Sequence, residues 1–491
     1  MSSSVGIASP DDRSSASSGA SASSGAPLVR ANRSWLLALT LLALVTRLLW
    51  VLWVHPPGEY VFSDMKKYLE RATVLAEHGW MPGDRTFAWQ AWGTHALLAL
   101  PLELFGTDAL RAAAVFWALM AAAAVPLAYL LAVRVSPRKW VPELVGVLTL
   151  LWHPNVSNAG YFLSETPFLC FALASTLLLV IVLQEGRLGW LAGLASAVAF
   201  AVRPQSALFY LLVLATWLIN RRRLPQVRAK VLLGVALPLL AVLAFSAWRF
   251  HAHTGYWAGV AENANMNLTA GRCHNVVTQA FSSAADLRRS EKKGVTTDGR
   301  RVSLPNYRLA AKLPKWHPLA LRPALGGESI RFVGYVGDPE VHRDIRARCY
   351  AATGVLGQLH MSVINVSLSW FLDRQWPEME RGRERFLPVL NVYHAIFAVF
   401  IWAPSMIGMC AALWWLRRRP ALALVAWQLV SSIVVAAIFF GTIRLRTPYD
   451  PYAFILAAEG ALLVWAQLRK WLAARRASVD ARRGATDVAP G

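Results

Sequence analysis

Two carboxylates stand immediately outside long apolar runs of this sequence. Asp64 lies in YVFSDMKKYLERA, and Glu165 lies in GYFLSETPFLC at the start of another apolar run. A carboxylate this close to hydrocarbon is costly and usually faces a partner or an aqueous cavity. There it could remove a proton from an attacking hydroxyl group. The structural alternative is that Asp64 only interacts favourably with the helix dipole as a residue of the first turn. Glu165 would then only cap its helix or pair with a cation.

Arginines occupy the ends of further apolar runs. Arg203 stands in AVRPQSA, and Arg444 and Arg446 stand two residues apart in IRLRTPYD. A pair of guanidinium groups suits a phosphate, including one on a lipid, and fixed cations stabilise a departing phosphate. The alternative is that these side chains snorkel to the membrane surface, or that the pair binds Asp450.

An amphipathic helix is predicted to carry Asp64. Apolar residues recur at helical spacing over 65–76, with Lys66 and Lys67 between them, which is typical of a helix lying at a membrane surface. Ser63 is the predicted N-cap, which places Asp64 in the first turn.

The rest of the chain has the composition of a membrane protein. Of its 491 residues, 56% are hydrophobic and only 16% are charged. Runs of about 20 apolar residues recur, the length a helix needs to cross a ~30 Å hydrocarbon core. We predict an all-α polytopic protein with about ten transmembrane helices, interfacial helices in the first exterior loop and an inserted exterior domain of mixed structure. The predicted spans are 35–54, 109–133, 140–153, 162–183, 189–202, 205–219, 231–248, 389–416, 421–440 and 452–468.

Charges in the short loops predict the orientation. If the spans alternate, five basic segments share one side, and Lys and Arg in short loops mark the cytoplasm. Both termini are then cytoplasmic, and Arg444 and Arg446 lie outside, opposite to where positive charge in short loops belongs. The five segments are SPRK (136–139), EGR (185–187), NRRRLPQVRAK (220–230), RRRP (417–420) and the tail from Arg469.

Five regions follow from these spans. The long exterior stretch contains Cys273 and Cys349 but no spanning run, and an oxidising exterior would permit a disulfide between them. The regions are a disordered cytoplasmic tail (1–33), an N-terminal transmembrane region (34–248) with a catalytic first exterior loop (55–108), an exterior or periplasmic domain (249–388), C-terminal transmembrane helices (389–468) and a basic cytoplasmic tail (469–491).

The formal net charge of +22 indicates basic cytoplasmic loops and contact with anionic membrane lipids. Nucleic acid is not an expected partner, because no nucleic-acid-binding module or basic face with interleaved aromatic residues is present. A lipid or sugar transporter is an alternative. It would need ionisable residues near the middle of its spans, whereas here they fall mostly at the outer ends.

The order and sidedness of these motifs resemble the C-type superfamily of integral membrane glycosyltransferases. The sequence is most similar to the bacterial branch related to protein mannosyltransferases and lipid A aminoarabinose transferases. The resemblance extends over nearly the whole chain. The matching segments are SDMKKYLERA, GYFLSETPFLCFALA, AVRPQSALFYL, RLRTPYDPYAFILAA and, at the start of the exterior domain, WRFHAHTG and NANMNLTAGRCHN.

The resemblance implies transfer of a hexose or pentose, with inversion, from a polyprenyl-phosphate donor to a lipid, glycan or protein acceptor. The reaction would take place on the outer face of the bacterial inner membrane. Asp64 matches the catalytic aspartate of the family, the general base on the acceptor hydroxyl. Glu165 matches a second acidic residue that either positions the acceptor or assists a divalent metal. Many members carry two adjacent acidic residues in the first loop, whereas Met65 follows Asp64 here, so the metal stays open.

The resemblance also implies roles for the cations. Arg203, Arg444 and Arg446 would bind the lipid phosphate, with Lys66 and Lys67 as a second group. A polymerase or ligase of surface polysaccharide remains an alternative, because it shares a lipid-linked donor but uses a diphosphate and a different set of motifs.

Overall fold

The structure, a computed structural model, describes residues 31–257, 259–273, 276–293, 300–303, 329–335, 337–380 and 382–486. Helices dominate this part of the chain, as an all-α polytopic membrane protein requires, and the fold prediction is confirmed. Nearly all of the predicted tail 1–33 lies outside the described residues.

The N-terminal region is a succession of helices that follow the apolar runs. Helix α7 is apolar on all sides and is buried in the middle of the bundle, as expected for a helix without a polar face. The helices are α1 (Arg33–Leu49), α2 (Ser63–His78), α3 (Gly93–Phe105), α4 (Leu110–Val135), α5 (Trp140–Leu151), α6 (His153–Ala159), α7 (Glu165–Glu185), α8 (Gly189–Val202), α9 (Ala207–Asn220) and α10 (Ala229–Thr254).

The second half of the described residues contains a small sheet and eight further helices. Strands β1 (Val277–Phe281), β2 (Arg300–Ser303) and β3 (Ser329–Val333) form a sheet in which β1 pairs antiparallel with β2 and parallel with β3. The helices are α11 (Asn263–Arg272), α12 (Ala284–Lys293), α13 (Pro339–Ser367), α14 (Leu387–Ile396), α15 (Trp402–Trp414), α16 (Pro420–Ile438), α17 (Ile443–Arg446) and α18 (Asp450–Thr486).

Eight helical segments of the described residues are long and apolar enough to cross a membrane. Seven coincide with predicted spans, while the predicted spans 140–153, 189–202 and 205–219 form the shorter helices α5, α8 and α9 of 12, 14 and 14 residues. The eight segments are Arg33–Glu59, Leu110–Val135, Glu165–Glu185, Ala229–Thr254, Pro339–Leu372, Glu384–Trp414, Pro420–Ile438 and Ile443–Ser478.

The segment Pro339–Leu372 differs from the expectation that 249–388 contains no spanning run. Its helix α13 is not straight, because Gly354 has non-helical backbone angles (φ 61°, ψ −176°) that glycine adopts without a side-chain clash. Both halves contact α11: His342 hydrogen-bonds Thr269 in the first half, and Asn365 donates to the carbonyl of Gly271 in the second. The bend at Gly354 therefore keeps both halves of α13 beside one ten-residue helix.

A disulfide joins α13 to the residue that follows α11. Cys273 and Cys349 are bonded, with 5.6 Å between their Cα atoms, and both are fully buried. The pairing hypothesised from the sequence is confirmed. Two helices that are far apart in the chain are thereby fixed to each other.

The loops predicted on opposite sides of the membrane meet at opposite ends of the helix bundle. At one end Arg134 pairs with Glu185, and Arg223 donates to the carbonyl of Arg417 at 3.0 Å. Asp64, from the predicted exterior loop, lies at the other end. The grouping agrees with the alternation of spans, and the orientation in the cell stays a prediction.

Helices α15 and α18 approach each other through glycines. A Cβ atom on Gly408 would lie 2.0 Å from the carbonyl oxygen of Leu456, and one on Gly460 would lie 2.0 Å from that of Pro404. Small residues at such crossings let helix backbones pack closely in a membrane, where van der Waals contact drives association. This packing places the start of α18, and hence α17 before it, at a defined position.

Candidate functional site

Helix α2 presents Asp64 from its first turn, as predicted. The helix begins at Ser63, so Ser63 is its first residue and the capping position falls on Phe62, which makes no side-chain capping bond. This corrects the prediction of Ser63 as N-cap. Ser63 has a positive φ of 47°, a conformation that costs free energy in a residue with a side chain. The buried side chains of Met65 and Tyr68 hold the helix against its neighbours.

Each carboxylate oxygen of Asp64 accepts one hydrogen bond. Gln90 donates to Oδ1 from Nε2 at 3.3 Å, and Arg444 donates to Oδ2 from Nη1 at 3.4 Å. Arg71 donates to Oε1 of Gln90 at 2.5 Å. Because arginine has no acceptor, the amide oxygen of Gln90 must face Arg71 and its NH2 group must face Asp64. The Asp64 side chain is 33% exposed, so it can be reached while it is held.

Glu165 begins α7, and its side chain is fully buried. Its Oε1 atom accepts hydrogen bonds from Nη2 of Arg203 and from Nε of Arg444. Arg203 also donates to the hydroxyl of Ser164 from Nε and Nη2, each at 3.1 Å. A buried carboxylate is tolerated when it is paired and hydrogen-bonded, and two guanidinium groups meet that condition here.

Arg444 connects the two carboxylates. Its Nη1 atom contacts Asp64, its Nε atom contacts Glu165, and its guanidinium lies 4.4 Å from the centre of the Trp376 ring. The side chain is 14% exposed. The site therefore contains two carboxylates, from α2 and α7, and two guanidinium groups, from α17 and from the residue that follows α8.

Tyr68, on the same helix as Asp64, is close enough to this cluster to be affected by its charges. Burial, with smaller contributions from the negative charges of Asp64 and Glu165, raises the pKa of Tyr68 to about 12. Its hydroxyl group stays protonated at neutral pH. It is therefore not a base, and of the two carboxylates in the cluster Asp64 is the accessible one.

Arg446 does not join the cluster. It is 1% exposed, its Nε atom lies 3.1 Å from Oδ1 of Asp450, and its guanidinium lies 3.7 Å from the centre of the Phe397 ring. It also donates to the carbonyl of Trp370 at 3.2 Å. The structure thus places Arg446 in the pair with Asp450 that the sequence left open as an alternative.

The two lysines lie on the outer face of α2. The Nζ atom of Lys66 lies 3.7 Å from Glu70 in an exposed pair. The Nζ atom of Lys67 lies 5.6 Å from the centre of the ring of Trp89, the residue before Gln90. Of the five predicted phosphate ligands, the structure therefore brings together Arg203 and Arg444.

The two carboxylates do not form a metal centre with a third ligand. Among the described residues, no group of three His, Cys, Asp or Glu side chains is arranged to hold a metal ion. The guanidinium of Arg444 already contacts both Asp64 and Glu165, so a divalent cation between them would face a fixed positive charge. The residues present do not fit a metal ion at that position.

Sequence reasoning missed three residues that shape the site: Arg71, Gln90 and Trp376. Helical spacing could have identified Arg71, because residues 64, 68 and 71 share one face of α2. No sequence pattern marks Gln90 or Trp376, since each lies in an irregular segment that only the tertiary fold brings to Asp64 or Arg444.

Arg249, near the end of α10, fixes the segment that contains Gln90. It is fully buried and donates to the backbone carbonyls of Phe87 at 2.7 Å, Gln90 at 3.2 Å and Val260 at 3.3 Å. A guanidinium with several donors can hold an irregular backbone in this way. Gln90 is therefore held through its backbone as well as its side chain.

Residues 90–248 match the model of a family described as dolichyl-phosphate-mannose-protein mannosyltransferase. The matched range includes Glu165 and Arg203 and begins at Gln90, whereas Asp64 and Arg444 lie outside it. The match confirms the resemblance to membrane glycosyltransferases that the motifs indicated. No curated protein matches the chain.

Two solved structures are similar to this one. One is the archaeal oligosaccharyltransferase AglB from Archaeoglobus fulgidus, in complex with an inhibitory peptide and a dolichol-phosphate (12% identity, TM-score 0.46, covering 90% of this chain and 52% of that one). The other is ArnT from Cupriavidus metallidurans bound to undecaprenyl phosphate (15% identity, TM-score 0.35, covering 88% and 78%). The chain spans about half the length of the oligosaccharyltransferase.

Proposed function

We propose that this multi-pass membrane protein is an inverting glycosyltransferase that uses a polyprenyl-phosphate sugar. It transfers a hexose or pentose to a hydroxyl group of a lipid, glycan or protein acceptor at the outer face of the bacterial inner membrane. The observation that carries the proposal is the accessible carboxylate of Asp64, held by Gln90 and by an arginine that suits a phosphate. The family match over residues 90–248 supports a donor of the polyprenyl-phosphate class.

In the proposed reaction Asp64 acts as the general base. It removes the proton of the acceptor hydroxyl while the acceptor oxygen attacks the anomeric carbon of the sugar. The bond between that carbon and the phosphate oxygen breaks on the opposite face, and the lipid phosphate leaves. One displacement of this kind inverts the anomeric configuration. The hydrogen bonds from Gln90 and Arg444 hold the carboxylate in a fixed orientation before the substrate arrives.

Arg444 is the proposed ligand of the departing phosphate. Its Nε and Nη1 atoms are engaged by the two carboxylates, and its Nη2 atom makes no hydrogen bond to the described residues. A fixed cation beside developing negative charge stabilises the transition state without reorganisation. Arg203, buried against Glu165, is proposed to hold that carboxylate and thereby Arg444.

The other predicted cations have proposed supporting roles. Lys66 and Lys67 lie on the outer face of α2, where they could meet the phosphate as it enters or leaves. Arg446 holds the segment between α16 and α18 through Asp450, and acts on the phosphate only through the position it gives Arg444.

Replacement of Asp64 tests the proposal. We expect Asp64→Asn to abolish sugar transfer, because the amide keeps the shape of the side chain but is not a base. Glu70→Gln, on the same helix but in an exposed pair with Lys66, is the matched control and should leave transfer unchanged. The glycans of a deletion strain complemented with wild type, Asp64→Asn or Glu70→Gln provide the measurement. Wild-type glycans with Asp64→Asn at normal protein levels would rule out Asp64 as the base.

A further inference from the structure

The side chains that helix α13 exposes change in character at its bend. Before Gly354 the exposed residues include the charged pair Arg343 and Asp344. Between Gly354 and the end of the helix at Ser367, every exposed side chain except His360 is apolar. The apolar ones, called the apolar face of α13 below, are Val355, Leu356, Leu359 and Val363, with exposed fractions of 77%, 82%, 58% and 55%. An apolar stripe of this kind on one side of a helix indicates a cover other than water.

Another side of the same half of α13 is joined to the end of α16. The hydroxyl group of Ser362 donates to the carbonyl of Ala437 at 2.9 Å, one residue before α16 ends. Arg272, at the end of α11, donates both to Ser362, at 3.1 Å, and to the carbonyl of Ala437. A Cβ atom on Gly441, beyond the end of α16, would lie 1.6 Å from the carbonyl oxygen of Asn365. These contacts lead past the end of α16, so α13 lies across this end and does not run along the length of α16.

The chain that follows α13 stays at the same end of the bundle. The carbonyl of Trp370 accepts a hydrogen bond from Arg446 at 3.2 Å, and Trp376 then faces Arg444 at the candidate site. A helix that ran straight through the membrane from Gly354 would carry Trp370 about 24 Å towards the opposite end. The segment therefore has the length and composition of a span, but its contacts keep it at the end of the bundle that carries the site.

The length of α16 indicates the depth at which the apolar face lies. Helix α16 has 19 residues and is about 28 Å long, which matches the ~30 Å hydrocarbon core of a bilayer. Arg419, the residue before α16, donates to the carbonyl of Val135 at the end of the bundle opposite to Asp64. Ala437 therefore lies near the edge of the hydrocarbon core on the side of the site. Ile438 beside it is 46% exposed, so the exposed apolar surface of α16 reaches the helix that crosses its end.

We propose that the second half of α13 lies at the membrane surface on the side of the candidate site, with lipid hydrocarbon covering its apolar face. An interfacial helix buries such a face about 5–10 Å into the boundary between head groups and acyl chains. Lipid is the occupant because the face adjoins the exposed end of the span α16, and because charged side chains appear on α13 only before its bend. The segment Pro339–Leu372 then enters and leaves the membrane surface on one side.

This position of α13 has a consequence for the site, although the inference does not depend on the proposed function. Trp370 follows α13 and accepts a hydrogen bond from Arg446, which belongs to the same short helix α17 as Arg444. An interfacial helix that is fixed in depth by its apolar face therefore holds α17 at the level of the lipid head groups. Arg444 is thereby kept at the height at which a lipid phosphate lies.

Cysteine variants of the full-length protein test whether the segment crosses the membrane. They are made in a Cys410→Ser background, because Cys410 is the exposed one of the two free cysteines and Cys170 is buried. Arg343→Cys and Arg374→Cys stand before and after the apolar face, and Arg222→Cys stands at the opposite end of the bundle. In sealed membrane vesicles, an impermeant maleimide should label the first two from one side and Arg222→Cys from the other. Labelling of Arg374→Cys from the same side as Arg222→Cys would overturn the inference.

A nitroxide label on Leu356→Cys or Val363→Cys, in lipid nanodiscs, tests what covers the apolar face. Collisions with oxygen, which concentrates in hydrocarbon, should be frequent. Collisions with a water-soluble nickel chelate should be about tenfold rarer than for the matched control Arg343→Cys, because polar solutes are excluded at the depth of such a face. Equal access of the chelate to Leu356→Cys and Arg343→Cys would mean that water covers the face. A label that neither reagent reaches would mean a protein cover, and either result overturns the assignment to lipid.

Discussion

Replacement of Arg444 by glutamine is the sharpest test of how the site recognises a phosphate. The guanidinium contacts Asp64 through Nη1 and Glu165 through Nε, and it faces the ring of Trp376. Glutamine removes the positive charge but leaves each carboxylate with another partner, because Gln90 still donates to Asp64 and Arg203 still donates to Glu165. The variant should therefore fold, at a cost of about 1–3 kcal/mol for the lost charged hydrogen bonds.

The expected loss of affinity follows from the geometry. Two unit charges 4 Å apart interact by about 4 kcal/mol at an effective dielectric constant of 20. A phosphate does not gain all of this energy, because Arg444 already neutralises Asp64 and Glu165 before the ligand arrives. A net loss of about 2 kcal/mol, or about 30-fold in Kd, is expected for Arg444→Gln. Arg444→Lys keeps the charge but cannot bridge both carboxylates, so its Kd should lie between those of Arg444→Gln and the wild type.

The assay is titration of undecaprenyl phosphate at pH 7 and constant salt, with thermal unfolding of each variant measured in parallel. Arg374→Gln is the control, because Arg374 is an exposed arginine in the same part of the chain and should bind as the wild type does. An Arg444→Gln protein that unfolds normally and binds undecaprenyl phosphate with the wild-type Kd would refute the assignment of Arg444 to the phosphate.

Two further predictions concern the supports of the site. Gln90→Leu removes the hydrogen bond to Asp64, so kcat should fall about 10-fold or more with little change in donor KM; unchanged kcat would remove Gln90 from the positioning of the base. Cys273→Ser should lower the free energy of unfolding by about 2–5 kcal/mol, because the disulfide to Cys349 closes a long loop. Thermal unfolding with and without a reductant checks this, since the reductant should destabilise the wild type and leave the variant unaffected.

The arrangement of helices could be predicted well because it depends on length and apolar composition. Runs such as 162–183 coincide with long helices, since in a bilayer the backbone must satisfy its own hydrogen bonds. The prediction was weaker where a helix deviates from that rule. Helix α13 has the length and hydropathy of a span, yet Gly354 bends it and both halves contact α11. The bend depends on the backbone conformation of one glycine, which hydropathy does not reveal.

The site was predictable as a set of candidates but not as a geometry. The sequence indicated Asp64, Glu165, Arg203 and Arg444 because charge at the ends of apolar runs is expensive. The structure brings these four together. Their partners Gln90 and Trp376 could not be found in the same way, because polar or aromatic residues in irregular segments are common and only tertiary contacts distinguish these two.

The pair Arg444 and Arg446 shows most clearly where sequence reasoning ends. Residues two apart on a helix do not face the same direction, so α17 cannot aim both guanidinium groups at one phosphate. One arginine had to turn towards the bundle, and Asp450, four residues after Arg446, provided a buried partner for it. The other turned towards Asp64 and Glu165. Helical spacing thus predicts that the pair divides between two environments, but the packing of α18 determines that Arg444 is the arginine at the site.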